Sequence, residues 1–433
     1  MLISIVAVFV IGYLLIALEH PIRLNKSASA LITGVVCWTI YALSTGNIEH
    51  TVTELSEHLA EISEILFFLL GAMTIVELVD AHEGFNIITD RISSRNTRVL
   101  LWIISILSFF LSALLDNLTT SIVMISVLRK LVRNAEQRRL MAGMIIIAAN
   151  AGGAWSPIGD VTTTMLWIGG QITTTNIIIT LLLPSLVCMV VPLSVLTYRF
   201  KPGAQGDVGT AKHGISRPYV SPLKRRDRAI MLAAGIGGLL FVPVFKTVTH
   251  LPPYMGMMLS LGVVWAISEF IHADKDDEDK KRFSAAHALS KIDAPSILFF
   301  LGILLAVGAL QAIGLLRTLA VSLDNAVGNL DLIIFLIGIV SAIVDNVPIV
   351  AAAMGMYDLS TYPVDSKMWE FLAYCAGTGG SLLVIGSAAG VAVMGMEKLE
   401  FMWYIRKISW LALIGYVAGA ITYLALYSIL PHG

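Results

Sequence analysis

The chain alternates long apolar runs with short polar segments, a pattern typical of helices that cross a lipid bilayer. Most runs approach the roughly 20 residues that a helix needs to cross about 30 Å of hydrocarbon. The pattern predicts an all-α polytopic membrane protein with about ten spanning helices. We place these spans at residues 1–18, 27–45, 63–80, 140–171, 177–198, 229–246, 255–272, 293–316, 368–394 and 405–430. Glycine and proline interrupt the runs 140–171 and 368–394, which predicts discontinuous helices there.

Two further apolar stretches, 99–128 and 331–356, each contain a polar break near the middle. The breaks have related sequences, SALLDN in the first stretch and SAIVDN in the second, so each places an aspartate beside an asparagine. Either stretch could be one long broken helix. We favour two re-entrant hairpins, with each arm too short to cross the membrane alone.

Composition and charge agree with a membrane protein and give it an orientation. Apolar residues make up 57% of the 433 residues, charged residues only 14%, and mean hydropathy is +0.82. A net charge of −1 gives no basic signal for nucleic acid. If residues 19–26 are cytoplasmic, only Lys246, Arg317 and Lys367 of the 29 lysines and arginines lie outside. This bias predicts that hairpin 99–128 enters from the cytoplasm, hairpin 331–356 enters from outside, and both termini are external.

The two halves of the chain repeat in the same order. The segment ILFFL occurs at residues 65–69 and 297–301, the SAxxDN motif follows in both halves, and a GG…IG pattern at residues 152–159 recurs at 379–386. With the halves facing opposite ways, this is the inverted-repeat layout of secondary transporters. The predicted division is 1–62 for N-terminal spans and an external loop, 63–200 for the first repeat, 201–228 for a cytoplasmic linker, 229–292 for scaffold spans and a charged loop, and 293–433 for the second repeat.

Ionisable groups inside a membrane are costly and therefore mark functional sites. Oxygen-bearing side chains cluster around them, and a hard cation such as Na⁺ or Li⁺ binds several oxygens in place of water. A carboxylate can hold a proton in the same place, so competition between the two would produce antiport. The candidate cation- and proton-binding residues are Glu77, Asp116, Asn117, Asn150, Asp160, Thr162, Thr163, Ser341, Asp345, Asn346, Ser381 and Ser387.

The cation site is expected to lie nearer the first half, because Asp160 corresponds to the uncharged Ser387 in the repeat. The Na⁺ ligands we predict are Asp116, Asn117, Asn150, Asp160 and Thr163. Structural interpretations stay open. The Asp-Asn pairs could cap helices, and the threonines could bond to their own helix. Glu77 could be a partner for a polar group on a neighbouring helix.

The segments SALLDNLTTS, NAGGAWSPIGDVTTTM, SAIVDNVP and GTGGSLLVIGSAAG resemble the NhaD-type sodium/proton antiporters. These belong to the ion transporter superfamily, which also contains arsenite permeases and divalent-anion/sodium symporters. The resemblance implies two inverted repeats with two hairpins, a homodimer, elevator-type movement, and a prokaryotic cytoplasmic (inner) membrane. The tips Asp116-Asn117-Leu118-Thr119 and Asp345-Asn346-Val347-Pro348 depart from the Ser-Asn-Thr tips of the anion branch.

These observations predict an antiporter that exchanges cytoplasmic Na⁺, and Li⁺, for external H⁺, and not an enzyme. The sequence contains no ATP-binding P-loop, and we expect no cofactor. The nearest alternative is a dicarboxylate or arsenite carrier of the same superfamily, which would have to tolerate the intramembrane aspartates. Two more distant alternatives are an intramembrane aspartyl protease, on the basis of Gly159-Asp160, and a passive channel.

Overall fold

The computed structural model describes residues 2–17, 19–89, 96–199, 223–273, 283–343 and 345–429. These ranges fold mainly into α-helices. A π-helical turn, Ile405–Ser409, joins the last two of them. The helices are Leu2–Ala17, Glu19–Ile22, Lys26–Thr45, Ile48–Ala81, Asn86–Thr89, Thr97–Leu115, Asn117–Leu131, Ala135–Ala154, Val161–Ile168, Thr174–Arg199, Arg225–Thr249, Pro253–Ile271, Ala285–Lys291, Ala294–Ala312, Leu315–Val327, Leu330–Val340, Asn346–Met356, Lys367–Gly379, Ala388–Glu397, Phe401–Tyr404 and Trp410–Ile429.

Eight helices in the described ranges are long and apolar enough to cross a membrane, or nine if Leu315–Val327 and Leu330–Val340 form one span bent by 116°. The prediction of an all-α polytopic membrane protein is confirmed. The number is below the ten spans predicted because residues 140–171 and 368–394 each divide into two shorter helices. In addition, the first run forms a helix of only 16 residues, while Thr97–Leu115, which is not among the ten predicted spans, is long and apolar enough to be counted.

The chain breaks at both Asp-Asn motifs. We call Thr97–Leu131 the first hairpin and Leu330–Met356 the second hairpin. The first breaks at Asp116, and both of its arms pack against Ala135–Ala154. Its first arm has 19 residues, about 28 Å of helix, and is long enough to cross alone. The expectation that each arm is too short is therefore wrong for this arm, because the helix continues unbroken from its Asn96 cap to Leu115. Re-entry from opposite sides stays a prediction.

The two interrupted runs form broken helices. We call Ala135–Ala154 with Val161–Ile168 the first broken helix, and Lys367–Gly379 with Ala388–Glu397 the second. In each, a polar residue caps the second segment. Asp160 accepts a hydrogen bond from the Thr162 backbone, and Ser387 accepts one from the Gly390 backbone. The discontinuities expected from glycine and proline therefore occur, and each ends at a predicted site residue.

Corresponding glycines in the two broken helices approach the hairpins in the same way. A Cβ atom on Gly152 would lie 2.1 Å from the Phe109 carbonyl oxygen. A Cβ atom on Gly379 would lie 2.0 Å from the Gly338 carbonyl oxygen. Only glycine allows backbones to pack so closely. The duplicated sequence thus produces duplicated packing, while the opposite orientation of the halves stays a prediction.

The second arm of each hairpin also contacts the short segment of the broken helix from the other half. Asn117–Leu131 packs against Ala388–Glu397, and Asn346–Met356 packs against Val161–Ile168. The two hairpin tips and the two helix breaks consequently meet in the interior. A second group of helices packs beside this unit and is referred to here as the scaffold: Leu2–Ala17, Lys26–Thr45, Ile48–Ala81, Arg225–Thr249, Pro253–Ile271 and Ala294–Ala312.

Several predicted boundaries need correction. The external loop expected before residue 63 is instead part of a 34-residue helix, Ile48–Ala81, which starts at an Asn47 cap. Its first turns are polar, so hydropathy does not reveal them. Leu315–Val327 is also helical, between two glycines in the left-handed conformation, Gly314 and Gly328. Most of the predicted 201–228 linker and of the charged 274–282 segment lies outside the described residues, and Arg225 already begins a helix.

Candidate functional site

Six buried polar residues from both halves of the chain meet where the hairpin tips approach the broken helices. We call Asn117, Asn150, Asp160, Asn346, Ser381 and Ser387 the central cluster. The Asn117 amide donates to Asn150 Oδ1 at 3.0 Å and to Asp160 Oδ2 at 2.9 Å. The Asn150 amide donates to the Ser381 and Ser387 hydroxyls at 3.0 and 3.1 Å. These bonds join residues predicted separately in the two repeats.

Asp160 is the charged member of the central cluster and is only 1% exposed. Its Oδ1 accepts hydrogen bonds from the Thr162 backbone at 3.0 Å and the Thr162 hydroxyl at 2.9 Å. The Asn346 amide lies 3.4 and 3.5 Å from its two oxygens. The position of Asp160 at the start of Val161–Ile168 also places the carboxylate at the positive end of a helix dipole. Polar donors and the helix terminus together stabilise a buried negative charge.

Thr163 supplies a buried oxygen next to Asp160 in the chain. Its hydroxyl has no hydrogen-bond partner among the described residues. A buried polar atom without a partner needs an explanation, such as an ion or a water molecule. The Thr162 hydroxyl donates to Asp160, the residue that caps its own helix, so the alternative that the threonines bond to their own helix stays open for Thr162.

Asp116 and Asp345 lie at the two hairpin tips, but their surroundings differ. Asp116 has a positive φ of 99° and caps Asn117–Leu131. Its carboxylate accepts bonds from the Thr119 backbone at 2.7 Å and the Thr119 hydroxyl at 2.8 Å. Among the described residues, Asp345 accepts a single long hydrogen bond, 3.4 Å, from the Val347 backbone. Helix capping and a role in ion binding are compatible at both tips.

The structure also gives Asp345 a partner that the sequence analysis missed. The Lys26 ammonium, expected in a cytoplasmic loop, lies 3.9 Å from Asp345 Oδ2. No signal in the apolar pattern could reveal this contact, because the two residues are far apart in the chain and Lys26 marks the start of a separate helix.

Besides the two tip aspartates and the two threonines beside Asp160, two more predicted site residues lie outside the central cluster. Glu77 is half-buried on the scaffold helix Ile48–Ala81, where the charges of Asp80 and Lys291 act on it. The Ser341 hydroxyl lies 2.7 Å from the Gly338 carbonyl and 3.3 Å from the Ala376 carbonyl, so it joins the second hairpin to the second broken helix.

Two buried carboxylates outside the central cluster were also missed. Glu397 bonds to Arg129 at 2.7 Å and to Arg138 at 2.6 Å, which ties the second broken helix to the first hairpin and to the first broken helix. The Tyr423 hydroxyl bonds to the buried Glu370 at 2.6 Å. Both glutamates lie near helix ends, which is why a search for charges in the middle of spans passes over them.

Spanning helices, paired breaks and a buried polar cluster between two related halves define a membrane transporter rather than an enzyme. The citrate transporter family matches residues 13–370 of the chain. "Sodium/proton antiporter 2" of Arabidopsis thaliana is 48% identical over 97% of this chain and 98% of that protein. "Sodium/proton antiporter 1" of the same plant is 49% identical over 97% of this chain and 72% of that protein. "Na(+)/H(+) antiporter NhaD" of Vibrio cholerae is 31% identical over 97% of this chain and 90% of that protein.

The chain therefore belongs to the citrate transporter family of the ion transporter superfamily, together with relatives named NhaD. The resemblance seen in the motifs is confirmed, and the protease alternative is wrong.

Proposed function

We propose that the protein exchanges cytoplasmic Na⁺, and Li⁺, for external H⁺. The observation that supports this most directly is the central cluster, in which one buried carboxylate, Asp160, is surrounded by amides and hydroxyls from both halves. The relatives named sodium/proton antiporters, of plant and bacterial origin, support the same function. The proposal includes a prokaryotic cytoplasmic (inner) membrane as the location, a homodimer as the assembly, and external termini.

The central cluster can change from binding a proton to binding a cation by small side-chain rotations. Asn117 directs its amide nitrogen at Asp160 in this structure. An asparagine side chain also carries a carbonyl oxygen, which a rotation would direct toward a cation. Asp160, Asn117, Asn150 and Thr163 then supply oxygens of the kind that a hard cation prefers. Asp116, at the tip of the first hairpin, adds a second negative charge next to Asn117 in the chain.

Competition at one carboxylate explains coupled exchange. A buried Asp160 is stable when it carries a proton or when a cation neutralises it, but a bare buried charge is costly. Binding of one ion therefore displaces the other, and movement of the hairpin unit against the scaffold would carry either ion across. This elevator-type movement is part of the proposal.

Citrate transport is the rival suggested by the family description. A multiply charged anion needs cationic groups, and the central cluster contains no lysine or arginine. Lys26, the cation near a hairpin tip, is already paired with Asp345. The charge of the central cluster thus favours a cation as substrate.

The exchange is tested with purified protein in liposomes that contain a pH-sensitive dye. We expect Na⁺ and Li⁺ gradients to change internal pH, and citrate or succinate gradients to have no effect. Asp160→Asn keeps the shape of the side chain but removes its charge, and it should abolish the response. Asp324→Asn is the matched control, since Asp324 is exposed on Leu315–Val327. Full exchange by Asp160→Asn at normal expression, or transport driven by citrate, would contradict the proposal.

A further inference from the structure

Lys26 connects the scaffold to the tip of the second hairpin. Its ammonium lies 3.9 Å from Asp345 Oδ2, and the two side chains are 24% and 18% exposed. The same ammonium lies 4.6 Å from the centre of the Phe299 ring. A small cavity beside the pair is lined by Tyr13, Glu19, Ile343 and Ile385 as well. The pair is thus partly shielded from water, which strengthens the attraction between its charges.

The backbone of Lys26 is held firmly on the scaffold. Its N–H donates to Glu19 Oε1 at 3.2 Å, and Asn25 caps the helix that Lys26 begins. The next residue, Ser27, donates its hydroxyl to the Pro295 carbonyl at 2.6 Å. A lysine in the first turn of a helix faces the positive end of the helix dipole, which disfavours it. Stabilising its own helix therefore does not explain why a lysine is found here.

The repeat shows why Asp345 is available to Lys26. Asp116 in the first tip is satisfied by the backbone and hydroxyl of Thr119. In the second tip the corresponding residue is Pro348, which has neither an N–H nor a hydroxyl. Within the part of the chain that the structure describes, Asp345 accepts one hydrogen bond, the 3.4 Å bond from Val347. The replacement of threonine by proline leaves one carboxylate oxygen directed at the scaffold.

The pair is also close to the central cluster along the chain. Asn346, the residue after Asp345, directs its amide at Asp160 from 3.4 and 3.5 Å, the long limit of a hydrogen bond. A cation that attracts Asp345 therefore also affects the position of Asn346, which contacts the central cluster from the second hairpin.

We propose that the Lys26 ammonium is a tethered cation that competes with the transported cation for the tip of the second hairpin. In the conformation described here Lys26 neutralises Asp345 and joins the hairpin unit to the scaffold. A cation that arrives at the tip releases this connection. The inference rests on the proposed exchange function and assigns to Lys26 a positioning role that sets the cation affinity.

The test measures the Na⁺ concentration that gives half-maximal exchange in everted vesicles, which expose the cytoplasmic face. A partly exposed ion pair is worth about a fivefold change in an equilibrium. Lys26→Gln should therefore lower the half-saturating Na⁺ concentration about fivefold. Lys26→Arg keeps the charge and should stay near the native value. Arg23→Gln removes a charge from an exposed residue of the same loop and should also change little.

A second measurement separates this inference from the exchange function. Na⁺-dependent thermal stabilisation of the purified protein in detergent reports binding without transport, and we expect the same fivefold shift there. Equal Na⁺ midpoints for native protein and Lys26→Gln, or an equal shift in Arg23→Gln, would overturn the role of Lys26. The role of Lys26 would also be overturned if Lys26→Gln shifted the Na⁺ midpoint by the same factor in protein that already carries Asp345→Asn. Failure of the native protein to move protons with Na⁺ would instead refute the exchange function.

Discussion

Replacing Gly152 by alanine tests how closely the first broken helix must approach the first hairpin. The new Cβ atom would lie 2.1 Å from the Phe109 carbonyl oxygen and 2.8 Å from the carbonyl carbon and the Cα atom. All three neighbours belong to the backbone, so no side-chain rotation can remove the clash. The two segments must separate by about 1.3 Å to restore an ordinary contact of 3.4 Å.

The size of the effect follows from two opposing terms. Alanine favours a helix over glycine by about 1 kcal/mol. Overpacking in a tight core costs about 1–3 kcal/mol and more when backbone must move. Because the clash here is between backbones, we expect a net loss of at least about 2 kcal/mol, which would lower the melting temperature of a chain of this length by about 2 °C. Asn150 lies two residues earlier, so a displacement of this size would also break its 3.0 Å bond to Asn117 and impair exchange.

The assay is thermal unfolding in detergent combined with Na⁺-driven proton exchange in liposomes. Gly379→Ala should behave like Gly152→Ala, because its Cβ atom would lie 2.0 Å from the Gly338 carbonyl oxygen. Gly395→Ala is the control, since a Cβ atom there would meet nothing within 4 Å. It should leave stability unchanged or raise it slightly. If Gly152→Ala melted at the native temperature and exchanged normally, the close approach and the reasoning built on it would be wrong.

Two further predictions concern the buried network. Asn150→Ala removes three hydrogen bonds within the central cluster. It should raise the half-saturating Na⁺ concentration at least about tenfold, measured by dye-based exchange with the exposed Asn325→Ala as control. Glu397→Gln leaves Arg129 and Arg138 facing a neutral amide. Because Arg129 is 45% exposed and can reach water, the loss of stability should be about 2 kcal/mol rather than the larger cost of a fully buried charge; an unchanged melting temperature would contradict it.

The sequence predicts most of the site because the site lies where regular structure stops. A polar residue beside glycine or proline in an apolar run indicates both a break and a reason for it, as at Asp160, which follows Gly159. Residues that act at helix ends carry no such signal. Lys26 and Glu397 resemble ordinary charged residues at the edges of spans until packing places them beside Asp345 and Arg138. Local pattern does not encode which helix ends meet.

The polar half of a long helix is missed for a related reason. Residues 48–62 lack the apolar character that defines a span, yet Asn47 caps the helix and no glycine or proline interrupts it before Gly71. Helix formation depends on backbone propensity and capping, whereas insertion into a membrane depends on hydropathy. A search based on hydropathy detects only the part of the helix that satisfies both.

Differences between the two related halves of the chain explain why the central cluster contains one carboxylate and not two. Asn117 and Asn346 correspond in the repeat, and both direct their amides at the same carboxylate, Asp160. The equivalent of Asp160 is Ser387, so the second half contributes a hydroxyl to the central cluster where the first contributes a charge. A second aspartate at this position would place two buried negative charges between the same amides.

The two hairpin tips also differ in the partners of their aspartates. Thr119 satisfies the carboxylate of Asp116, whereas Pro348 cannot satisfy that of Asp345, which pairs with Lys26. If Lys26 balances Asp345, Asp160 is the charge that most needs a transported ion, because it is the one buried inside the central cluster. On the proposed function, the two related halves therefore hold one site where Na⁺ and H⁺ compete, at Asp160. They also hold one hairpin tip, at Asp345, where Lys26 of the scaffold competes with the transported cation.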